Sequence, residues 1–285
     1  MKQRLLYLTL FPILLSLTLF QIAKIPVSSA SPHASIFPDA PNVLALFEFD
    51  GNVSDSSGNG NDAVFIGGRY VSTPLGQGLK LSQGEAGGID WSAHASQLVH
   101  PYTVEIVLTP QNTANWKKLF SFDDQSDNGW YYLNDGIQAY PHAVLGQGEV
   151  IGNQLHYLAF VSTAADQVDV YFQGELIGST PATFTAPPTQ AIFFKDDTIT
   201  GGSEGLEAVV EAVRISSQTR TLEEMAAVQT LLTGASSISG AVTNSNQEPL
   251  AGIVVNAYQR LGDDLWVSGG TTETNESGQY TISGL

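Results

Sequence analysis

The sequence predicts an all-β protein, and three observations carry that prediction. Short runs alternate apolar with polar residues, Gly, Pro, Asn and Asp gather between them, and the composition is rich in Gly, Thr, Val and aromatics.

In chain order, MKQRLLYLTLFPILLSLTLFQIAKIPVSSA comes first. Lys2 and Arg4 form a basic start, Leu5 to Phe20 an apolar run, and Ser28-Ser29-Ala30 a small-x-small cleavage site. That order is the pattern of a secretory signal peptide. A retained span needs ~20 apolar residues, and Gln21 and Lys24 cut this run short, so no stable membrane span is expected after cleavage.

NVLALFEFD (42–50) then reads as a strand between Pro41 and Gly51, and PYTVEIVLTP (101–110) alternates Val104, Ile106 and Leu108 against Glu105 and Val107. KKLFSFDD (117–124) and GWYYLND (129–135) flank an acidic loop. LHYLAFVST (155–163) leads into VDVYFQGELIGST (168–180). There Val168, Val170 and Phe172 share one face, and Gln173-Gly174 makes a hairpin turn. GLEAVVEAVRIS (205–216) suits a strand, although its Ala and Glu content also permits helix. TLEEMAAVQTLL is helical: Thr221 and Glu224 form a capping box, and Leu222, Met225, Ala226 and Leu232 are expected on one face. Residues 234–237 read as a linker, after which ISGAVTNSNQEPLAGIVVNAY supplies two β runs around a polar turn.

The formal charge is −17. Residues 1–30 hold three basic residues (Lys2, Arg4, Lys24) and no acidic one, so their removal takes it to −20. Such a surface repels nucleic acid and anionic lipid, and suits divalent cations or neutral ligands such as glycans. The absence of cysteine excludes disulfides and thiolate metal sites, and in an exported chain points to a bacterial source.

The order F-D-G…D-S-S-G-N-G-N-D, G-Q-G-L-K-L, Y-T-V-E-I-V-L-T-P, L-H-Y-L-A-F-V, V-D-V-Y-F-Q-G-E-L and V-V-E-A-V-R-I-S-S-Q-T-R-T-L-E-E-M resembles the laminin-G-like jelly roll of the concanavalin A-like lectin/glucanase superfamily across residues 42–227. The resemblance implies a concanavalin A-like jelly-roll β-sandwich with a short C-terminal helix, and members that mostly bind glycans, matrix proteins or calcium. The family often carries Asp then Glu before the closing Val-Arg-Ile; here Glu211 and Ala212 stand there. The tail, through Ser239-Gly240-Ala241-Val242, Pro249-Leu250-Ala251-Gly252 and Ser277-Gly278-Gln279-Tyr280, resembles part of a carboxypeptidase regulatory-like (prealbumin-type) domain, a second small, incomplete β-sandwich.

For chemistry, the E-x-D-x-x-E signature of glucanases on this fold is missing. Glu207 and Glu211 share a strand face but lie ~13 Å apart by strand rise, beyond the ~5–5.5 Å of a retaining pair. Glu85 and Asp90 lie in a Gly-rich stretch without strand pattern. The five histidines (33, 94, 100, 142, 156) lack zinc spacing, and His156 reads as a hydrogen-bonded core or edge residue. Asp50, Asp55, Asn59, Asn61 and Asp62 supply the oxygen donors that Ca²⁺ takes. Glu211 is a further candidate ligand, because first and last strands are neighbours in a concanavalin-type sandwich. The other reading of this stretch is two successive turns whose Asp and Asn bond their own backbone. DDQSDNG (123–129) is a weaker calcium candidate. Trp130, Tyr132 and Tyr140 are the candidate glycan platform, with Trp91 and Trp116 near loops. Alternation places Trp130 and Tyr132 on one face and Tyr131 on the other.

The expected organisation is a signal peptide (1–30), a linker (31–41), the jelly roll (42–233), a linker (234–237) and the partial second domain (238–285). The expected function is a secreted or cell-surface, non-catalytic module that binds a glycan or a cell-surface or matrix partner, with calcium-stabilised loops. The alternatives are a structural or adhesive spacer in a longer extracellular protein and a divergent glycosidase.

Overall fold

The structure is a computed structural model and describes residues 35–82, 87–164, 167–181, 187–234, 237–260 and 266–283. The signal-peptide segment, Glu85 and the middle of the 234–237 linker lie outside them.

The elements run β1 (Val43–Phe47), β2 (Val64–Gly67), β3 (Arg69–Thr73), β4 (Gly76–Leu81), β5 (Gly88–Asp90), a 3-10 helix (Ser92–Gln97), β6 (Tyr102–Pro110), β7 (Lys117–Ser121), β8 (Gly129–Leu133) and β9 (Gly136–Tyr140). They continue with β10 (Val144–Leu145), β11 (His156–Ala164), β12 (Gln167–Phe172), β13 (Glu175–Thr180), β14 (Ile192–Phe193), β15 (Ala208–Ser216) and helix α1 (Leu222–Gly234). The tail adds β16 (Ser237–Ala241), β17 (Val254–Arg260), β18 (Trp266–Glu273) and β19 (Gln279–Ser283).

Two antiparallel sheets form the sandwich. The first has the order β13-β12-β11-β6-β15-β4-β3, with β1 also on β15; the second runs β10-β9-β8-β7-β14-β5-β2. The alternation in the sequence sets their inner faces. Tyr102, Val104, Ile106 and Leu108 of β6 and Val168 and Val170 of β12 enter the core between the sheets. Gln173 and Gly174 both take positive φ and close the β12–β13 hairpin. Of the 205–216 run, Ala208–Ser216 is a strand, buried on both faces, which accounts for apolar residues at successive positions such as Val209-Val210 and Ala212-Val213.

That double burial follows from what covers the first sheet. Val107, Tyr157, Ala159, Val161 and Ala212 on its outer face form a second core with Phe37 and with Met225, Val228 and Leu232 of α1. The capping box is present: the Glu224 amide donates to Thr221 Oγ1 (3.2 Å) and the Thr221 amide to Glu224 Oε2 (2.8 Å). The buried helix stripe is Met225, Val228 and Leu232. Leu222 is 62% exposed and Ala226 is exposed, which corrects the face read from the sequence. The anchor at Glu224 turns the first-turn Leu222 outward.

Glu105 alternates away from the core of β6 and is fully buried beneath this layer. Arg214 Nε and Nη2 meet its carboxylate at 2.6 and 2.8 Å, the Tyr157 hydroxyl donates to it at 2.6 Å, and Arg220 Nε lies at 3.5 Å. Arg214 Nη1 donates to the Pro38 carbonyl (2.9 Å), and its guanidinium sits 4.4 Å from the Phe37 ring centroid. Arg220 also donates to Glu224 Oε1 (3.1 Å). One carboxylate thereby ties together sheet, helix and the Ser35–Pro41 strap.

The tail folds as two two-stranded antiparallel sheets, β16–β19 and β17–β18, plus a bridge between Thr243 and Pro249.

Breaking a buried ion pair from one side costs about 3–5 kcal/mol, because a charge is left uncompensated. Glu105→Gln should therefore lower the unfolding free energy by that amount in a denaturant titration. The pair Glu105→Gln/Arg214→Met should lose less than the two single losses together. An unchanged midpoint for Glu105→Gln would show that the carboxylate does not hold these elements.

Candidate ligand-binding face

The outer face of the second sheet is built on β7, β8 and β9, where Lys118 pairs with Tyr131 and Tyr131 with Gln138. Alternation sends Trp130, Tyr132, Ile137 and Ala139 into the core. Tyr131, Gln138 and Tyr140 are left on the other side. Gly129 opens β8 at φ +120; a Cβ there would lie 2.6 Å from the Phe120 carbonyl oxygen, so glycine is required for this approach.

Trp130 and Tyr132 are completely buried and present no platform, which corrects the sequence reading of these two. Trp130 packs among Phe120 and Phe160, and the Tyr132 hydroxyl lies 3.0 Å from His156 Nδ1. His156 Nε2 lies 2.8 Å from the Ile151 carbonyl, so Nε2–H donates there and Nδ1 accepts from Tyr132. Burial pushes this imidazole down to about 4, with the Ile151 carbonyl opposing, so it is a neutral core histidine. Tyr140, by contrast, lies half-buried on the outer face.

Its neighbour there is Trp116, which the sequence placed only near a loop. The half-buried Trp116 packs edge-on against Tyr131 (5.2 Å, 89°) and Tyr140 (5.5 Å, 79°). Lys118 Nζ lies 4.5 Å from the Tyr131 ring centroid and donates to Asp197 Oδ2 (2.6 Å) and the Asn128 carbonyl (2.9 Å). The Tyr131 hydroxyl has three acceptors at 3.2–3.3 Å, namely Asp127, the Asn128 carbonyl and Asp197, and one proton to share among them. Burial, then the charges of Asp197, Asp127 and Glu204, keep that phenol protonated.

Beside it, Glu204 is pushed up to about 7, first by burial and then by Asp196, Asp127 and Asp197, with Lys118 opposing. Gln138 Oε1 and Glu204 Oε2 are buried without a hydrogen-bond donor among the described residues. The carboxylates are otherwise spoken for. Asp196 accepts from the amides of Asp197 and Glu204 and from the Thr200 hydroxyl; Asp197 accepts from Lys118 and the Ile199 amide. In the 123–129 loop, Asp123 bonds the Gln125 amide and Ser126 hydroxyl, and Asp124 pairs with Lys195 at 2.8 Å.

In the 50–62 loop, Asp55 Oδ1 accepts from the amides of Leu46 (3.0 Å) and Ser57 (2.8 Å), and Oδ2 from Asn61 (3.0 Å). Burial opposes ionisation of Asp55, but the Ser57 hydroxyl and these three amides outweigh it and hold the carboxyl below its ordinary value. Asp62 Oδ1 accepts from the Asp55 amide, and the Asn59 and Asn61 side-chain amides donate to the Val43 and Leu44 carbonyls. Asp50 is exposed. Among the described residues, no three His, Asp or Glu side chains converge as a metal site.

Glu211 stands at the bulge in β15 between Val210 and Ala212, where the neighbouring strand changes from β4 to β1. Its buried carboxyl accepts the Thr73 hydroxyl at 2.7 Å.

The family model for the concanavalin A-like lectin/glucanases superfamily matches residues 83–226, half of the chain. The chain belongs to this superfamily. Among solved structures, the Trypanosoma rangeli sialidase in complex with 2,3-difluorosialic acid shares the fold at a TM-score of 0.52 and 13% identity, covering 68% of this chain and 33% of that one. Domain 4 of AbnA, an extracellular GH43 arabinanase from Geobacillus stearothermophilus solved with arabinotriose, scores 0.49 at 18% identity, covering 66% of this chain and 98% of that one. The chain thus spans nearly all of the arabinanase domain and a third of the sialidase. No curated protein sequence matches the chain. The matched residues take in β5 to β15 and the first turns of α1, and stop before the tail strands.

Burial raises the Glu211 carboxyl from 4.5 to about 8, with the Thr73 hydroxyl opposing. Between these values the folded chain holds a proton that the unfolded chain releases, so stability falls as pH rises from about 4.5 to about 8 and levels off above. Glu211→Gln should remove this slope, gaining on the order of 2–4 kcal/mol over the native chain at pH 8 relative to pH 5. Urea unfolding across that range reads it, and equal slopes in both proteins would contradict it.

Proposed function

We propose that the chain is an exported, non-catalytic binding module whose jelly roll takes carbohydrate on the outer face of the second sheet. The observation that carries this is the half-exposed Trp116 held edge-on by Tyr131 and Tyr140. A ring fixed in this way offers a flat apolar surface to the C–H face of a sugar, at little cost in side-chain freedom. The Asp127 and Glu204 carboxyl groups nearby accept hydroxyl donors and disfavour acidic sugars, in keeping with the charge of −17. A neutral glycan is the ligand class that these groups suit.

The non-catalytic part rests on the carboxylates. A glycosidase nucleophile needs a free oxygen facing the sugar, whereas Asp196 and Asp197 are buried and hold backbone amides and Lys118. Export rests on the basic, apolar and small-residue order of residues 1–30. Calcium stabilisation of the 50–62 loop is supported by its density of oxygen donors. A bound ion there would draw on Asp50 and Asp62 with Asn and backbone oxygens, because Asp55 already holds three amides.

Two measurements test the proposal. On a glycan array followed by calorimetry, Trp116→Ala should weaken binding of the captured glycan at least tenfold, the loss of about 1.4 kcal/mol of stacking, with an unchanged melting temperature. If no glycan binds to the native protein, the spacer reading replaces this one. For the loop, calcium should raise the melting temperature over chelator, and Asp50→Ala/Asp62→Ala should abolish the difference; a native protein indifferent to calcium removes that part.

A further inference from the structure

A cavity of about 320 Å³ lies on the far side of the sandwich from the aromatic face, between the Ser35–Pro41 strap, β1 and the turn at Ser56 and Ser57. Its walls are of two kinds. Phe37, Pro38, Val43 and Leu46 supply apolar surface, while Asp39, Glu48 and the serines supply oxygen. Ligand pockets begin near this size, roughly 300 Å³, and combine apolar walls with a few fixed polar groups.

The charges decide the ligand class. The one cationic side chain in the lining, Arg214, has Nε and Nη2 on Glu105 and Nη1 on the Pro38 carbonyl. Its charge is countered by Glu105 beneath it, so it cannot offer a free fork to an acidic ligand. Glu48 and Asp39 are in the opposite position. Glu48 is half-buried at the pocket, and neither carboxylate receives a hydrogen bond from a described residue. At this half-open pocket with apolar walls, the half-buried Glu48 and the exposed Asp39, neither with a donor among the described residues, attract a cation that carries its own donors and a short apolar stem.

We infer that this strap pocket binds a small primary-amine ligand, its ammonium held by Glu48 and Asp39 and its carbon skeleton lying against Phe37, Val43 and Leu46. Amino sugars and lysine side chains share this chemistry. The strap closes one wall, and it is held to the body by Arg214 at the Pro38 carbonyl, by Arg220 at the Pro41 carbonyl and by Phe37 in the second core. Filling the pocket adds contacts to the strap, so bound ligand stabilises it. This site and the glycan face share no residue, so each stands without the other.

The test is a titration of the full chain, followed by the NMR shifts of the 35–48 and 56–57 amides. The probes are glucosamine, Nα-acetyl-lysine amide, N-acetylglucosamine and glucuronate. Both amines should shift these amides, N-acetylglucosamine and glucuronate should not, and the tighter of the two amines identifies the source. Glu48→Gln should weaken amine binding roughly tenfold, the worth of one charge-assisted hydrogen bond, and Asp39→Asn should weaken it independently. Trp116→Ala should leave amine binding unchanged, which separates this site from the glycan face. Glucuronate binding as well as glucosamine, or amine binding indifferent to both carboxylate variants, would overturn the assignment. So would the absence of any shift in the native chain while its melting temperature shows it folded.

Discussion

Glu105 lies in the middle of β6 with its carboxylate facing away from the sandwich core, and the outer half of the molecule is organised around it. A lone carboxylate buried there would be far too costly to keep ionised. Arg214 from β15, Arg220 from the β15–α1 turn and the Tyr157 hydroxyl from β11 meet it together, and each is itself buried. The arginines also reach outward, Arg214 to the Pro38 carbonyl and Arg220 to Glu224 and the Pro41 carbonyl. The strap and helix are thus held by directional bonds, and the apolar contacts of Phe37, Met225, Val228 and Leu232 fill the space between. Apolar burial alone would tolerate several helix rotations; the Arg220–Glu224 contact and the capping box select one.

The same strand carries a second constraint. β15 pairs with β6 along one edge, while its other edge is shared by β4 and β1 in succession. On the β6 edge the register slips by one residue between Val210 and Ala212, so Glu211 forms a bulge at the point where the other edge passes from β4 to β1. The bulge directs a carboxyl into a buried position at the junction, where the Thr73 hydroxyl is its donor. The Glu211 carboxyl thus sits at the joint between two strands, and it is at its most stable there with its proton on.

Legibility varied with the physics behind each signal. Strands with one apolar face, such as β6 and β12, could be read directly, because alternation is a local property. The Gln173-Gly174 turn and the Thr221–Glu224 box were equally local. Which side of β8 faces the core was not: Trp130-Tyr131-Tyr132 is aromatic at every position, so pattern alone could not say which rings are buried. The answer depends on β7 and β9, where Phe120 and Ile137 join Trp130 and Tyr132 on one side. Trp116 was undervalued because its role comes from Tyr131 and Tyr140, brought beside it by pairing. Glu105 carried a signal that could have been used. A lone Glu in a strand so apolar on both faces, with Arg214 in another such strand, is the pattern of a buried pair.

The two sheets differ in what covers their outer faces. The first sheet has given its outer face to α1 and the strap, and its residues there are sealed by the second core. α1 packs on the first sheet, whereas on the outer face of the second sheet Asp127 and Asp197 meet the Tyr131 hydroxyl. Trp116 and Tyr140 stay partly exposed there. A sandwich needs one apolar face per sheet to fold, so aromatic residues on a second face add little to folding. Here Trp116 stands edge-on to Tyr131 and Tyr140, and Tyr131 packs on Lys118, which is itself fixed by Asp197. Rigidity of this kind lowers the entropy lost on binding a flat ligand, and it is the strongest structural reason to place recognition there rather than on the loops.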